Sequence, residues 1–204
     1  SSIIKAKDDA AGLAISEGLR STIRSNAQNI KNTQNAQFLL ETADNAINEM
    51  ASIVIRMKEL AVQAASDTNG DRERGYLNHE YQALKQEMDR ISESTLFNGR
   101  PLLNGEGATL SIQVGPNNNA DIDRIKISTG YKVNTEALGI SDLNITSVNG
   151  AREALEPIGA ALQTIAEVRG SIGAGESRLD TTMRSLMVYN ENVTGAFSQI
   201  RDAD

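Results

Sequence analysis

The stretch "AQFLLETADNAINEMASIVIRMKELAVQA", Ala36 to Ala64, decides the fold. Its apolar residues recur in heptads. One seam is Ala36, Ala43, Met50, Met57 and Ala64, and a second is Leu39, Ala46, Ile53 and Leu60. A third row, Leu40, Ile47, Val54 and Ala61, runs beside them. Three adjacent rows make an apolar stripe too wide for a two-stranded seam, so this helix is expected to bury against more than one neighbour. The charged Arg56, Lys58 and Glu59 are left outside the stripe.

Working outward, the helix is expected to run over residues 8–65, with Asp8 or Asp9 as its cap. That makes it about 85 Å long. Upstream the register changes: Ile23 and Ile30 are expected to carry the face, while Asn29 and Asn32 stand on the extrapolated seam. "SDTNGDRERG" ends the helix, with Asn69-Gly70 as the turn. A second helix follows over residues 71–94, with Leu77, Tyr81, Leu84, Met88 and Ile91 at 3-4 spacing. A third occupies residues 151–204. Its main seam is Ile158, Ile165, Ile172, Leu179, Leu186, Val193 and Ile200. Its expected partner seam is mixed: Leu155, Leu162, Arg169, Glu176, Met183, Asn190 and Phe197. Pro157 suits the beginning of a helix and not its interior.

Residues 96–150 have another texture. Asn98-Gly99, Asn104-Gly105, Gly115-Pro116 and Asn149-Gly150 are turn signals. "TLSIQV" and "DRIKIS" alternate, with Leu110, Ile112 and Val114 facing one way and Ile125 and Ile127 likewise. "GPNNNAD" joins them into a β-hairpin. A weaker strand pair is expected around 131–145. The fold class is therefore mainly α: an elongated rod of three long helices in an antiparallel, coiled-coil-like bundle, with a small β-hairpin region between helices 2 and 3. We read residues 1–204 as one domain.

Composition narrows the function. The chain has no cysteine, one histidine (His79) and 3% aromatic residues. Thiolate metal sites, cysteine nucleophiles and disulfides are excluded. The formal net charge of −7 argues against nucleic-acid and anionic-membrane partners. No apolar run approaches the ~20 residues of a membrane span. There is no basic-plus-apolar leader at the N-terminus. His79 lacks a second ligand at helical spacing, and the adjacent Glu80 does not share its face. "GSIGAG", Gly170 to Gly175, is not preceded by a strand, so the dinucleotide reading fails; close helix approach explains its glycines better. Asn144-Ile145-Thr146 and Asn192-Val193-Thr194 match glycosylation sequons, a short pattern that chance produces often. Arg72, Glu73 and Arg74 read as a solvated face. No catalytic residue, metal site or cofactor is expected, and the chain reads as a structural or interaction protein. Two other readings compete: a helical signalling hairpin of the chemoreceptor kind, which should carry no β insert, and a helical enzyme with a hidden carboxylate site, against which the lack of an inward-facing Glu/His set argues.

Four blocks then coincide in order and spacing. "AKDDAAGLAISEGLRS" (Ala6 to Ser21), "RMKELAVQAASDTNG" (Arg56 to Gly70), "EMDRISESTLFNGRPLL" (Glu87 to Leu103) and the segment from "RGSIGAGESRL" at Arg169 to "IRDAD" at Asp204 resemble bacterial flagellin. The resemblance covers essentially the whole chain. It implies a subunit of the bacterial flagellar filament, extracellular, exported by the flagellar type III apparatus without a cleaved signal. It also implies that the helices are the family's core domain, that the terminal filament-core helices are absent from this sequence, and that little room remains for a variable outer domain. Polymerisation with other flagellin subunits, and export signalling and chaperone binding through the missing ends, are accordingly expected to be weakened. Finally, it implies recognition by the ectodomain of Toll-like receptor 5 through Arg56, Lys58, Glu59, Leu60 and Gln63, with Glu80 on the second helix. Ile55 departs from the Gln common before the arginine in receptor-active members, and Leu60 falls on the core seam.

Overall fold

The computed structural model describes residues 10–202. The expected cap at Asp8 or Asp9 lies outside them. Among the described residues there are three helices: α1 (Ala10–Ala64), α2 (Asp71–Ser94) and α3 (Val148–Asp202). Between α2 and α3 lie four short strands, β1 (Leu96–Phe97), β2 (Arg100–Pro101), β3 (Leu110–Gln113) and β4 (Arg124–Ile127), paired as β1–β2 and β3–β4. The protein is mainly helical, with small strand pairs between its second and third helices, as the sequence predicts. The strand pairs also separate it from an all-helical signalling hairpin.

The chain forms two compact units. The larger comprises residues 39–110 and 128–175. Here the three rows of α1 are buried as expected, from Leu39 to Ala64, with Ala46 alone half-buried. Tyr81, Met88 and Ile91 of α2 are buried in the same unit, and so are Ile158, Ile165 and Ile172 of α3. The second seam of α3 differs from the expected one. Ala154 and Ala161 are buried, whereas Leu155 and Leu162 are only half-buried. Further along α3 the helices approach closely at Gly175, where an added Cβ would stand 3.0 Å from Leu40 Cδ1. Gly170 and Gly173 meet no such neighbour, so the close-approach explanation of "GSIGAG" holds at Gly175. α3 begins earlier than predicted and places Pro157 inside the helix, where the missing N–H withholds the helical donor from the Glu153 carbonyl.

Around residues 131–145 the expected strand pair is replaced by turns and one isolated bridge, Asn104 to Lys132. Polar side chains of α2 fasten this segment. Asp89 accepts hydrogen bonds from the Thr135 amide (2.8 Å) and hydroxyl (2.9 Å). The Lys85 ammonium donates to the carbonyls of Ser141 and Leu143. Burial pushes the Lys85 pKa down, opposed by the charges of Asp142 and Asp89. The buried Tyr81 phenol is pushed up to about 12 by the same desolvation.

The smaller unit comprises residues up to 38, residues 111–127 and residues from 176. Its core mixes Val114, Ile125, Ile127, Leu179, Met183 and Val193 with the polar Asn26, Asn29 and Thr33. Ile23 and Ile30 are only half-buried, so the polar seam, and not the isoleucines, faces inward. The reason is hydrogen bonding: Asn26 Nδ2 donates to the Leu186 carbonyl at 2.8 Å, and Thr33 Oγ1 to the Asn29 carbonyl at 2.9 Å. Asn32 Nδ2 donates to the Gln113 carbonyl of β3 at 3.1 Å.

Lys85→Met keeps the stem but removes the charge-assisted bonds that hold the 141–143 turn. Such bonds contribute about 1.5–3 kcal/mol, so the variant should lose stability by roughly that amount in urea unfolding. Amide exchange should also rise around residues 138–145.

Candidate functional site

The outward face beside the α1–α2 turn belongs to the larger unit and is built by that turn. The last turn of α1 closes with Ala65 N to Ala61 O (2.9 Å), and Asn69 Nδ2 folds back onto the Gln63 carbonyl (2.7 Å). Gly70 precedes α2 in an extended conformation. Asp71 and Glu73 then occupy the first turn, where the helix dipole favours acids. Arg74, expected on a solvated face, is instead buried. Its guanidinium donates to the Ser66 carbonyl (3.3 Å) and to Asp71 Oδ1 (2.8 Å), closing the turn from inside.

This closure brings α1 and α2 into register at Arg56. Arg56 Nε donates to Glu80 Oε1 at 2.7 Å and its second terminal nitrogen donates to Glu80 Oε2 at 3.3 Å. The first donates to Glu59 Oε2 at 3.0 Å. Both bonds to Glu80 are made by one planar fork, the geometry that gives arginine–carboxylate pairs their directionality. The Arg56 pKa is raised, chiefly by its hydrogen bond to Glu80 and then by that to Glu59. The Glu80 carboxyl is held below its ordinary range, chiefly by Arg56. All three side chains remain about half exposed, at 48%, 60% and 46% for Arg56, Glu59 and Glu80, so the cluster sits at the surface.

Of the six residues singled out in the sequence, Arg56, Glu59 and Glu80 are therefore brought together, and Gln63 is exposed one heptad beyond Arg56. Lys58 is exposed but only two residues from Arg56, a spacing at which helix side chains do not face each other. Leu60 has no exposed surface and belongs to the core seam. The sequence reading passed over Tyr76, 60% exposed and one helical turn before Glu80. Arg72 lies over its ring, 5.9 Å from the centroid, and donates to its hydroxyl at 3.1 Å. The signal was available: the same spacing, four residues, links Arg72 to Tyr76 and Tyr76 to Glu80. Ile55 and Val62 are exposed apolar residues of α1.

The described residues contain no group of three or more His, Cys, Asp or Glu side chains placed to hold a metal ion. Among them no helix is long and apolar enough to cross a membrane.

A carboxylate whose folded pKa is depressed contributes its share of stability above its unfolded pKa and loses it as pH falls through the folded one. Arg56→Ala removes the cause of that depression. In a carboxyl NMR titration, the Glu80 signal should move its midpoint upward, toward the ordinary carboxylate range. Added salt should reduce the difference between the two proteins, as expected for an exposed pair.

Two family profiles match the chain: the bacterial flagellin N-terminal helical region over residues 1–108 and the C-terminal helical region over residues 155–204. A flagellin of Halalkalibacterium halodurans is 39% identical over 202 residues, covering 99% of this chain and 74% of that one. A flagellin of Bacillus subtilis is 34% identical, covering 99% and 76%. The crystal structure of Bacillus cereus flagellin aligns with a TM-score of 0.68 at 30% identity, covering 76% of this chain and 88% of that one. The chain belongs to the bacterial flagellin family, a family of structural proteins and not of enzymes.

Proposed function

We propose that this protein is a structural subunit of the bacterial flagellar filament, extracellular and exported by the flagellar type III apparatus, and that it assembles with copies of itself. The match of 99% of the chain to named flagellins carries this reading. The same subunits offer Arg56, Glu59, Gln63 and Glu80 as a face for Toll-like receptor 5. Support for that part is geometric. The face is solvent-exposed, and Arg56 is held in one orientation by two carboxylates. A partner thus meets an ordered group and spends less conformational entropy on fixing it.

In a filament, subunits that pack over this face would hide it, so a receptor reading it responds to free monomers. Leu60 then acts only by supporting the backbone beneath.

Arginines at the centre of an interface are frequent hot spots. Arg56→Ala should weaken activation in a receptor reporter assay by about tenfold or more, equivalent to ~1.4 kcal/mol, with the helical circular dichroism unchanged. An unchanged dose response rejects the receptor assignment while leaving the filament role intact. The filament role is tested separately by co-expressing the tagged protein with a flagellin in motile cells and probing purified filaments for the tag. Its absence from the filaments, with the protein exported, counts against it.

A further inference from the structure

The sequence contains four Asn-Gly pairs, at Asn69, Asn98, Asn104 and Asn149. This dipeptide supports an intramolecular reaction, because glycine places no side chain between its amide nitrogen and the asparagine Cγ. The structure treats the four pairs differently.

Asn69 is held by its Nδ2 bond to the Gln63 carbonyl at 2.7 Å. Asn104 is held at both ends: its Nδ2 donates to Glu93 (3.4 Å) and its Oδ1 accepts from the Glu106 amide (3.0 Å). The attacking nitrogen there is also engaged, since Gly105 N donates to the Tyr131 carbonyl at 3.0 Å. Asn149 lies within α3, and Gly150 N donates to Ser147 Oγ at 3.0 Å. Asn98 has none of these restraints. It is exposed, and neither its side chain nor the Gly99 amide makes a hydrogen bond within the described chain. Both residues stand at positive φ, 48° and 75°, as the two-residue turn joining β1 to β2 requires. Asn98 is the one non-glycine at positive φ among the described residues.

We propose that Asn98 is the site of selective spontaneous deamidation in this protein. The Gly99 amide gives its proton to hydroxide or another base, and its nitrogen attacks Asn98 Cγ. The new C–N bond closes a five-membered imide while the Cγ–Nδ2 bond breaks and ammonia leaves, taking a proton. Water then opens the ring. Opening at the side-chain carbonyl gives an aspartate. Opening at the main-chain carbonyl gives an isoaspartate, with the chain running through Cγ. Water is the only co-reactant, and no oxidation occurs.

The product adds one negative charge to a chain already at −7. Isoaspartate also lengthens the main chain by one carbon within a two-residue turn, so the Leu96–Pro101 and Phe97–Arg100 pairings lose their register. Damage stops at the base of the hairpin. There Leu102 N donates to the Thr95 carbonyl (3.1 Å), Ser92 Oγ donates to the Leu103 carbonyl (2.9 Å), and Leu102 and Leu103 are buried.

The test incubates the folded protein in mildly alkaline buffer and follows each Asn-Gly peptide by mass spectrometry. Conversion at Asn98 should run at least roughly tenfold faster than at Asn69, Asn104 or Asn149, the factor expected when one hydrogen bond restrains a reacting group. In denaturant the four rates should converge. Equal rates in the folded protein, or a preference for Asn98 that survives denaturation unchanged, overturns the proposal. Asn98→Gln should abolish the fast component and leave the other three peptides as they were.

Discussion

The constraint on which everything else rests is the width of the apolar stripe on α1. From Ile47 to Ala64, seven residues have no exposed surface at all: Ile47, Met50, Val54, Met57, Leu60, Ala61 and Ala64. Burying a side chain of the larger kind contributes roughly 1.5–3 kcal/mol, but no single partner helix covers three rows. The larger unit answers with several covers at once: α2, the first half of α3, and the turns around residues 133–145. Each is tied down by polar side chains. Lys85 and Asp89 hold the turns, and the pairs Arg152–Asp67 (3.3 Å) and Arg169–Asp44 (3.0 Å) link α3 to the α1–α2 turn and to α1. The outward face at Arg56 is what the covers leave uncovered. Its position follows from the same heptad that assigns Met57, Leu60 and Ala64 to the core.

That explains which parts were legible in the sequence. Apolar heptads report burial directly, so the three rows of α1 and the Ile158–Ile165–Ile172 seam were readable. So were the limits of α2, because Asn69-Gly70 and the acidic first turn mark its start. Three features were not readable. Arg74 and Lys85 look like solvent residues by type; they are buried because main-chain carbonyls, invisible in a sequence, accept their protons. The second seam of α3 looked like Leu155 and Leu162 because leucine carries the stronger apolar signal. The residues actually buried there are Ala154 and Ala161, whose apolar signal is weaker. And β1–β2, two residues per strand, is too short to show alternation, although its turn dipeptide was visible.

The Arg56 cluster was legible only in part, for a related reason. A helix pattern shows which residues share a face of one helix. It does not show which residue of the next helix meets them. The heptad places Arg56, Glu59 and Gln63 together; Glu80 entered only through the family resemblance, and the structure supplies its bonds to Arg56. The electrostatic consequence is substantial. One cation between two carboxylates leaves the cluster with a formal charge of −1 by counting the side chains, and the guanidinium already donates to both carboxylates. A carboxylate approaching Arg56 would compete with Glu59 and Glu80 for the same donors, so Arg56 stands on this surface as part of a built cluster and not as a free cation.

Register is the remaining problem, and polar atoms solve it. The main seam of α3 repeats every seven residues from Ile158 to Ile200, so its apolar pattern is nearly unchanged by a slip of one heptad. Hydrophobic burial therefore fixes the face of α3 but discriminates weakly among heptad registers. Asn26 does not by itself remove the degeneracy: its buried amide is satisfied by the Leu186 carbonyl, and a helix presents a main-chain carbonyl at every residue, so a slip of one heptad offers an equivalent acceptor. Side-chain pairs do depend on alignment. In the larger unit the Arg169–Asp44 pair is lost by a slip, although an exposed pair contributes at most about 1 kcal/mol. The helices thus obtain their strength from residues that do not distinguish alignments, and their alignment from residues that add little strength.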